Sequence, residues 1–149
     1  MQFFNHILCF DFDGTIVEHK YPEIGKEMLF AFETLKQLQK KGHTLILWTY
    51  REGKDLEDAI NYCRENGVEF YAHNRNHPEE RWNPEIPRKL DVDLFIDDRN
   101  VGGFLGWSEI WQRLHPGSQE PQHQLKNPEA HHNYQAKDKQ SGFWKKLFN

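Results

Sequence analysis

Three places in this chain hold oxygen-bearing side chains at the ends of apolar runs. Asp11-Phe12-Asp13-Gly14-Thr15 follows His6-Ile7-Leu8-Cys9-Phe10, Thr49 follows Thr44-Leu45-Ile46-Leu47-Trp48, and Asp97-Asp98 follows Val92-Asp93-Leu94-Phe95-Ile96. If extended geometry persists through Asp13, the period of two aims Asp11 and Asp13 the same way. Gly14 then permits a sharp turn that offers backbone N–H groups to an anion. Four carboxylates brought together repel strongly, since two unit charges about 4 Å apart interact by roughly 4 kcal/mol at an effective dielectric of about 20. A hard divalent cation relieves that repulsion. An all-oxygen donor set favours Mg²⁺ over zinc or copper, and Mg²⁺ commonly links one or two carboxylates to a substrate phosphate.

The elements that must position these groups are legible as well. The three runs, with Val68-Glu69-Phe70-Tyr71-Ala72, are short and mostly apolar, as strands buried on both faces are. Met28, Leu29, Phe32, Leu35 and Leu38 recur at helical spacing within a helix expected from about Ile24 to Lys41, with Gly42 where it would end. Leu56, Ala59, Ile60 and Cys63 predict a second helix over Asp55 to Asn66, closed by Gly67. A third is expected from Ser108 to Leu114, with Trp107 and Trp111 on its inner face. The order β-α-β-α-β, a loop and then β predicts an α/β fold, a doubly wound (Rossmann-like) parallel sheet flanked by helices. Ligands of such sheets bind beyond the carboxyl ends of the strands, where all three oxygen-rich sites would lie.

Composition sets the wider frame. The 149 residues are 37% apolar, below the roughly 45–50% usual for globular domains, and the deficit is concentrated late in the chain. Residues 115–142 hold only Leu125, Ala130, Tyr134 and Ala136 as apolar residues, too few to offset ordering, so a disordered tail is expected there. Phe143-Trp144-Lys145-Lys146-Leu147-Phe148 then forms a short basic amphipathic peptide in 143–149, suited to a clasp on its own domain, a partner or a membrane surface. Residues 1–114 are left as the folded domain. With 19 Lys+Arg against 23 Asp+Glu the net charge is −4, which argues against a general nucleic-acid binder. There is no transmembrane run, and the first apolar run meets Asp11 too soon for a signal peptide. Cys9 and Cys63 make neither a disulfide framework nor a metal knuckle, so a cytoplasmic protein is expected. His73 and His77 flank Asn-Arg-Asn and precede Pro78, which reads as a loop rather than a helical metal site.

Phe10-Asp11-Phe12-Asp13-Gly14-Thr15-Ile16 resembles the first signature of the haloacid dehalogenase (HAD) superfamily, most of whose members are phosphatases. Leu94-Phe95-Ile96-Asp97-Asp98 resembles its acidic fourth signature, with Thr49 and then Lys89 between them in the family's order. The resemblance covers about residues 5–112, and Arg99-Asn100-Val101-Gly102-Gly103 is similar to a run in short, mostly uncharacterised bacterial members. Response-regulator receivers use related residues, but their acidic pair comes first and their phospho-accepting Asp later, the reverse of the order here. The resemblance implies that Asp11 is the nucleophile that forms an aspartyl-phosphate, and that Asp13 is the acid and then the base. It implies Mg²⁺ held by Asp11, Asp13 (through its backbone carbonyl), Asp97 and Asp98. Thr49 and Lys89 would bind the phosphoryl oxygens, with Arg88 or Lys54 as other candidates for the basic group. Gly14 and Arg51 would also reach the phosphorylated substrate.

Only about 28 residues separate Thr15 from Thr44, and about 16 make up the loop His73 to Arg88, so no cap domain is expected. Capless members have open sites, suited to large substrates or covered by homo-oligomerisation. The rim would come from His19 to Glu23 and from Asn74 to Pro87, with Arg75, Arg81 and Trp82. The expected function is a Mg²⁺-dependent phosphatase acting on a phosphomonoester. The alternative is a catalytically inactive module of the same fold that binds a phosphorylated ligand or protein partner.

Overall fold

The structure is a computed structural model that describes residues 5–118. The expected tail beyond 118 and the terminal peptide 143–149 lie outside the described residues. Four strands, β1 (Ile7–Phe10), β2 (Thr44–Leu47), β3 (Ala72–His73) and β4 (Leu94–Ile96), and three helices, α1 (Ala31–Lys40), α2 (Gly53–Glu65) and α3 (Trp107–Leu114), follow one another in the order β1, α1, β2, α2, β3, β4, α3. All pairings are parallel and the sheet order is β3-β2-β1-β4. Phe10 registers with Leu47 on one side and Ile96 on the other, so the chain segments following β1, β2 and β4 leave the sheet side by side. Two further bonds, Trp48 N–H to the Phe10 carbonyl at 2.8 Å and Asp11 N–H to the Ile96 carbonyl at 3.0 Å, carry the ladder to the edge where the carboxylates begin.

The strand period of two divides the core. Leu8, Phe10, Leu45, Leu47 and Ile96 pack on one face with Leu35 and Leu38 of α1, Ala59 and Cys63 of α2, and Trp107 and Trp111 of α3. Cys9, Ile46 and Ala72 on the opposite face meet Leu90, Trp48, Val92 and Phe95. The flanking helices thus contribute to the first face, while the second is covered by the β3–β4 connection. Pro78, Pro84 and Pro87 in that connection break helical hydrogen bonding. Among the described residues, no helix is long and apolar enough to cross a membrane.

Several boundaries differ from the periodicity. Helix α1 begins at Ala31 rather than Ile24, because Phe30 takes a left-handed φ of 65°. The chain before it instead pairs back on the turn after β1, with Met28 N–H on the Ile16 carbonyl and Glu18 N–H on the Lys26 carbonyl. The run expected as a strand from Val68 shortens to Ala72–His73, since Val68 and Phe70 are drawn into the helix-side core just past the end of α2. The folded part also extends beyond residue 114. His115 is 2% exposed, its ring lies against Trp111, and its Nε2 is 2.9 Å from Nε2 of the buried His43. A tail beginning at residue 115 therefore starts too early.

Candidate active site

The site begins with the alternation after β1. Phe12 is wholly buried and meets Tyr62 edge-on, which leaves Asp11 and Asp13 on either side of it to line a cleft of about 510 Å³. The chain then folds back in a tight turn, with Ile16 N–H on the Phe12 carbonyl and Gly14 N–H on the Val17 carbonyl at 2.7 Å. Trp107 of α3 donates its indole N–H to the Thr15 carbonyl and so ties this turn to the helix layer.

Asp97 and Asp98 arrive from β4. One oxygen from each of Asp11, Asp97 and Asp98 lies within 4.8 Å of the others. Thr15 donates its hydroxyl to Asp98 at 3.4 Å. Burial, and next the charge of Asp97, push the Asp11 carboxyl up to about 8, while the Phe12 N–H works against the shift. Three crowded, partly buried carboxylates offer a hard all-oxygen donor set that could hold a metal ion.

Asp13 is in a different environment. Both its oxygens accept from Arg51, at 2.8 Å from Nε and 2.7 Å from Nη2. Arg51 is wholly buried, donates also to the carbonyls of Pro22 and Glu23 at 2.9 Å, and lies between the rings of Phe12 and Tyr21. Two expectations are corrected here. Arg51 does not reach toward substrate, because its fork is engaged by Asp13, and the expected crowd of four carboxylates is three, the Asp13 side chain being turned to Arg51.

Gly14 is corrected too. Its N–H is used within the turn rather than offered to an anion, and its φ of +87° is the left-handed region that favours glycine. A Cβ on Gly14 would collide with the Asp98 carboxylate, so the glycine makes room for the acidic cluster. Thr49 lines the cleft as expected. Its N–H donates to Asn74 Oδ1 at 2.7 Å, and its hydroxyl oxygen accepts the Arg51 N–H. Lys89 is exposed, with Nζ 5.5 Å from the centre of the Phe95 ring, and does not line the cleft. Neither does Arg88, nor Lys54, which pairs with Asp58 at 2.6 Å.

Of the expected rim, His19 and Tyr21 line the cleft, whereas Arg75, Arg81 and Trp82 do not. Trp48 both packs on Phe95 and faces the cleft. Tyr50, Arg99 and the pinning role of Asn74 escape sequence reasoning. The one signal for Tyr50 and Arg99 is their place just past strand ends.

No family model matches the chain, and no curated protein matches it. Among solved structures, that of a conserved protein from Bacteroides thetaiotaomicron is similar. It is 52% identical, with a TM-score of 0.72, over 77% of this chain and 93% of that one.

Proposed function

We propose, for a chain that belongs to the same family as that Bacteroides conserved protein, a Mg²⁺-dependent phosphatase activity of the HAD type acting on a phosphomonoester. The observation that carries this reading is the meeting of Asp11 with Asp97 and Asp98 at the carboxyl ends of two adjacent parallel strands, with Asp13 and Thr49 facing the same cleft. The order β3-β2-β1-β4 reverses at β1, where the ligand crevice of a parallel α/β sheet lies, although α1, α2 and α3 all contribute to one face and the β3–β4 connection covers the other. The short connections support a capless, open site.

Asp11, Asp97 and Asp98 would hold Mg²⁺, which when bound supplies positive charge to the crowded carboxylates and to phosphoryl oxygens. An Asp11 oxygen attacks phosphorus and the ester P–O bond breaks, giving an aspartyl-phosphate and an alkoxide that takes a proton from Asp13. Asp13 then accepts a proton from the water that attacks the intermediate, returning Asp11 and releasing phosphate. Each Asp13 oxygen accepts one Arg51 N–H, which leaves a further lone pair on each; the acid step starts with a proton on one of these, and the base step restores it. Thr49 uses its hydroxyl oxygen as an acceptor and so has its O–H to donate to a phosphoryl oxygen.

The test is hydrolysis of a panel of phosphomonoesters with and without Mg²⁺, by the native chain and by Asp11→Asn. Turnover that requires the metal and vanishes in the variant is expected. Metal binding without turnover of any ester would sink the phosphatase reading in favour of a module that only binds.

A further inference from the structure

A pair at the lip of the cleft is not used by this mechanism. Arg99 directly follows Asp97 and Asp98, yet among the described residues its guanidinium forms no salt bridge. Its Nη2 instead lies 3.3 Å from Nε2 of His19, which comes from the other end of the chain, while its backbone N–H donates to Asp97 Oδ1 at 2.8 Å. Both side chains are exposed and both line the cleft. Arg51, the other arginine nearby, is committed to Asp13, and the lysines of the region stand outside. Arg99 is therefore the one Lys or Arg among the described residues lining the cleft.

Imidazole is a modest partner for a guanidinium. A carboxylate or phosphate oxygen makes charge-assisted bonds roughly twice as strong as neutral ones, and a guanidinium accommodates two in parallel. The floor, beside Asp11 and Asp97, is the place of the ester phosphate, so a second such group meets its cation at the lip. Beside this pair stand Tyr21 and Tyr50, with ring centres 6.4 Å apart and edge to face, Tyr50 being 90% exposed. Rings bared at the mouth of a concave site offer flat apolar contact to the body of a ligand.

The geometry points to a substrate with two anionic groups. The ester phosphate reaches Asp11, a second phosphate or a carboxylate takes the place of the His19 imidazole on the Arg99 guanidinium, and the body rests against Tyr21 and Tyr50. This deepens the phosphatase reading and rests on it.

Matched pairs test it with the full chain and Mg²⁺. Glycerol phosphate against phosphoglycerate adds a carboxylate, and a hexose monophosphate against its bisphosphate adds a phosphate. The doubly charged member of at least one pair is expected to have a kcat/KM higher by about tenfold, the scale of one charge-assisted bond. Which pair shows the preference tells carboxylate from phosphate. Arg99→Met should lower kcat/KM for the doubly charged member about tenfold more than for its mate. Equal losses for both members would mean that Arg99 serves the transferred phosphate, and would overturn the proposal, as would no preference in the native chain. If no ester is hydrolysed, the phosphatase reading fails separately. Calorimetric binding of the same pairs with Mg²⁺ then reads the same ratio, which must exceed unity and collapse in Arg99→Met for the second-anion site to stand.

Discussion

Removing the Arg51 guanidinium should destabilise the fold more than almost any other substitution at the site. In Arg51→Met the Asp13 carboxylate, whose side chain is 11% exposed, loses two donors at 2.7 and 2.8 Å and the cation paired with it, and the carbonyls of Pro22 and Glu23 lose theirs. Breaking a buried ion pair by deleting one partner costs about 3–5 kcal/mol, against a total stability on the order of 5–15 kcal/mol for a domain. With a urea slope of about 1–3 kcal/mol/M, the unfolding midpoint should fall by about 2 M. Asp13→Asn and the double variant complete a cycle. Because Met donates no hydrogen bond to either a carboxylate or an amide facing it, the pair's coupling should exceed about 1.5 kcal/mol. Arg51→Lys keeps the charge but loses the planar fork, and should fall between native and Met. Costs that add to within about 0.5 kcal/mol would refute the argument, since they would mean the two side chains do not sense each other.

Gly14→Ala forces a Cβ into the left-handed region, at about 1–2 kcal/mol, and into the Asp98 carboxylate. Both melting temperature and calorimetric Mg²⁺ affinity should drop, and an unchanged affinity would show that Asp98 does not depend on that space. With Asp11 raised to about 8, Mg²⁺ binding at neutral pH should release a large part of one proton. Calorimetry in buffers of differing ionisation enthalpy reads this release, and heats independent of buffer would contradict the crowding. His43 and His115 are both held below the ordinary histidine range, first by burial and then by their neighbours, His115 and next His6 for His43, and Lys41 and next His6 for His115. The folded protein thus resists protonation that the unfolded chain accepts, so their stabilisation is present above about pH 6.5 and declines as pH falls below it. Scanning calorimetry from pH 8 to 5 should show the decline, and His43→Gln should flatten it; the same slope in the variant would assign the effect elsewhere. Cys9 and Cys63, buried and each pushed up to about 12, should not react with a thiol reagent until denaturant is added.

The parts of the site readable in the sequence are those set by periodicity. An apolar run that stops at a carboxylate identifies both a strand and the group at its carboxyl end, so the meeting of Asp11 with Asp97 and Asp98 was legible. What periodicity does not carry is the choice of hydrogen-bond partner. Arg51 sits two residues after Thr49 and reads as another group reaching outward, whereas its partner is 38 positions earlier and both are buried. Gly14 has the same difficulty, because its turn predicts a free N–H and only the fold reveals the Val17 carbonyl in front of it. Lys89 follows Thr49 in order along the chain, but the irregular connection that carries it has no repeat from which a direction can be read. The late start of α1 depends on a single left-handed residue, Phe30, of a type that gives no warning of it.

The bond from Thr15 to Asp98 spans 83 positions, and that from Trp107 to Thr15 spans 92. On the ribosome, Asp11 and Asp13 are therefore made early and wait, without their acidic partners, until β4 and the helix after it have been synthesised. The three strands β1, β2 and β3 and helices α1 and α2 can associate before that point, as N-terminal portions generally do. A divalent-cation site built from Asp11, Asp97 and Asp98 has no such partial version. A metal ion held by these three carboxylates could thus be taken up only after synthesis has passed residue 98, and a chain truncated before residue 97 would lack two of the three, together with the core residues Phe104, Trp107, Ile110 and Trp111.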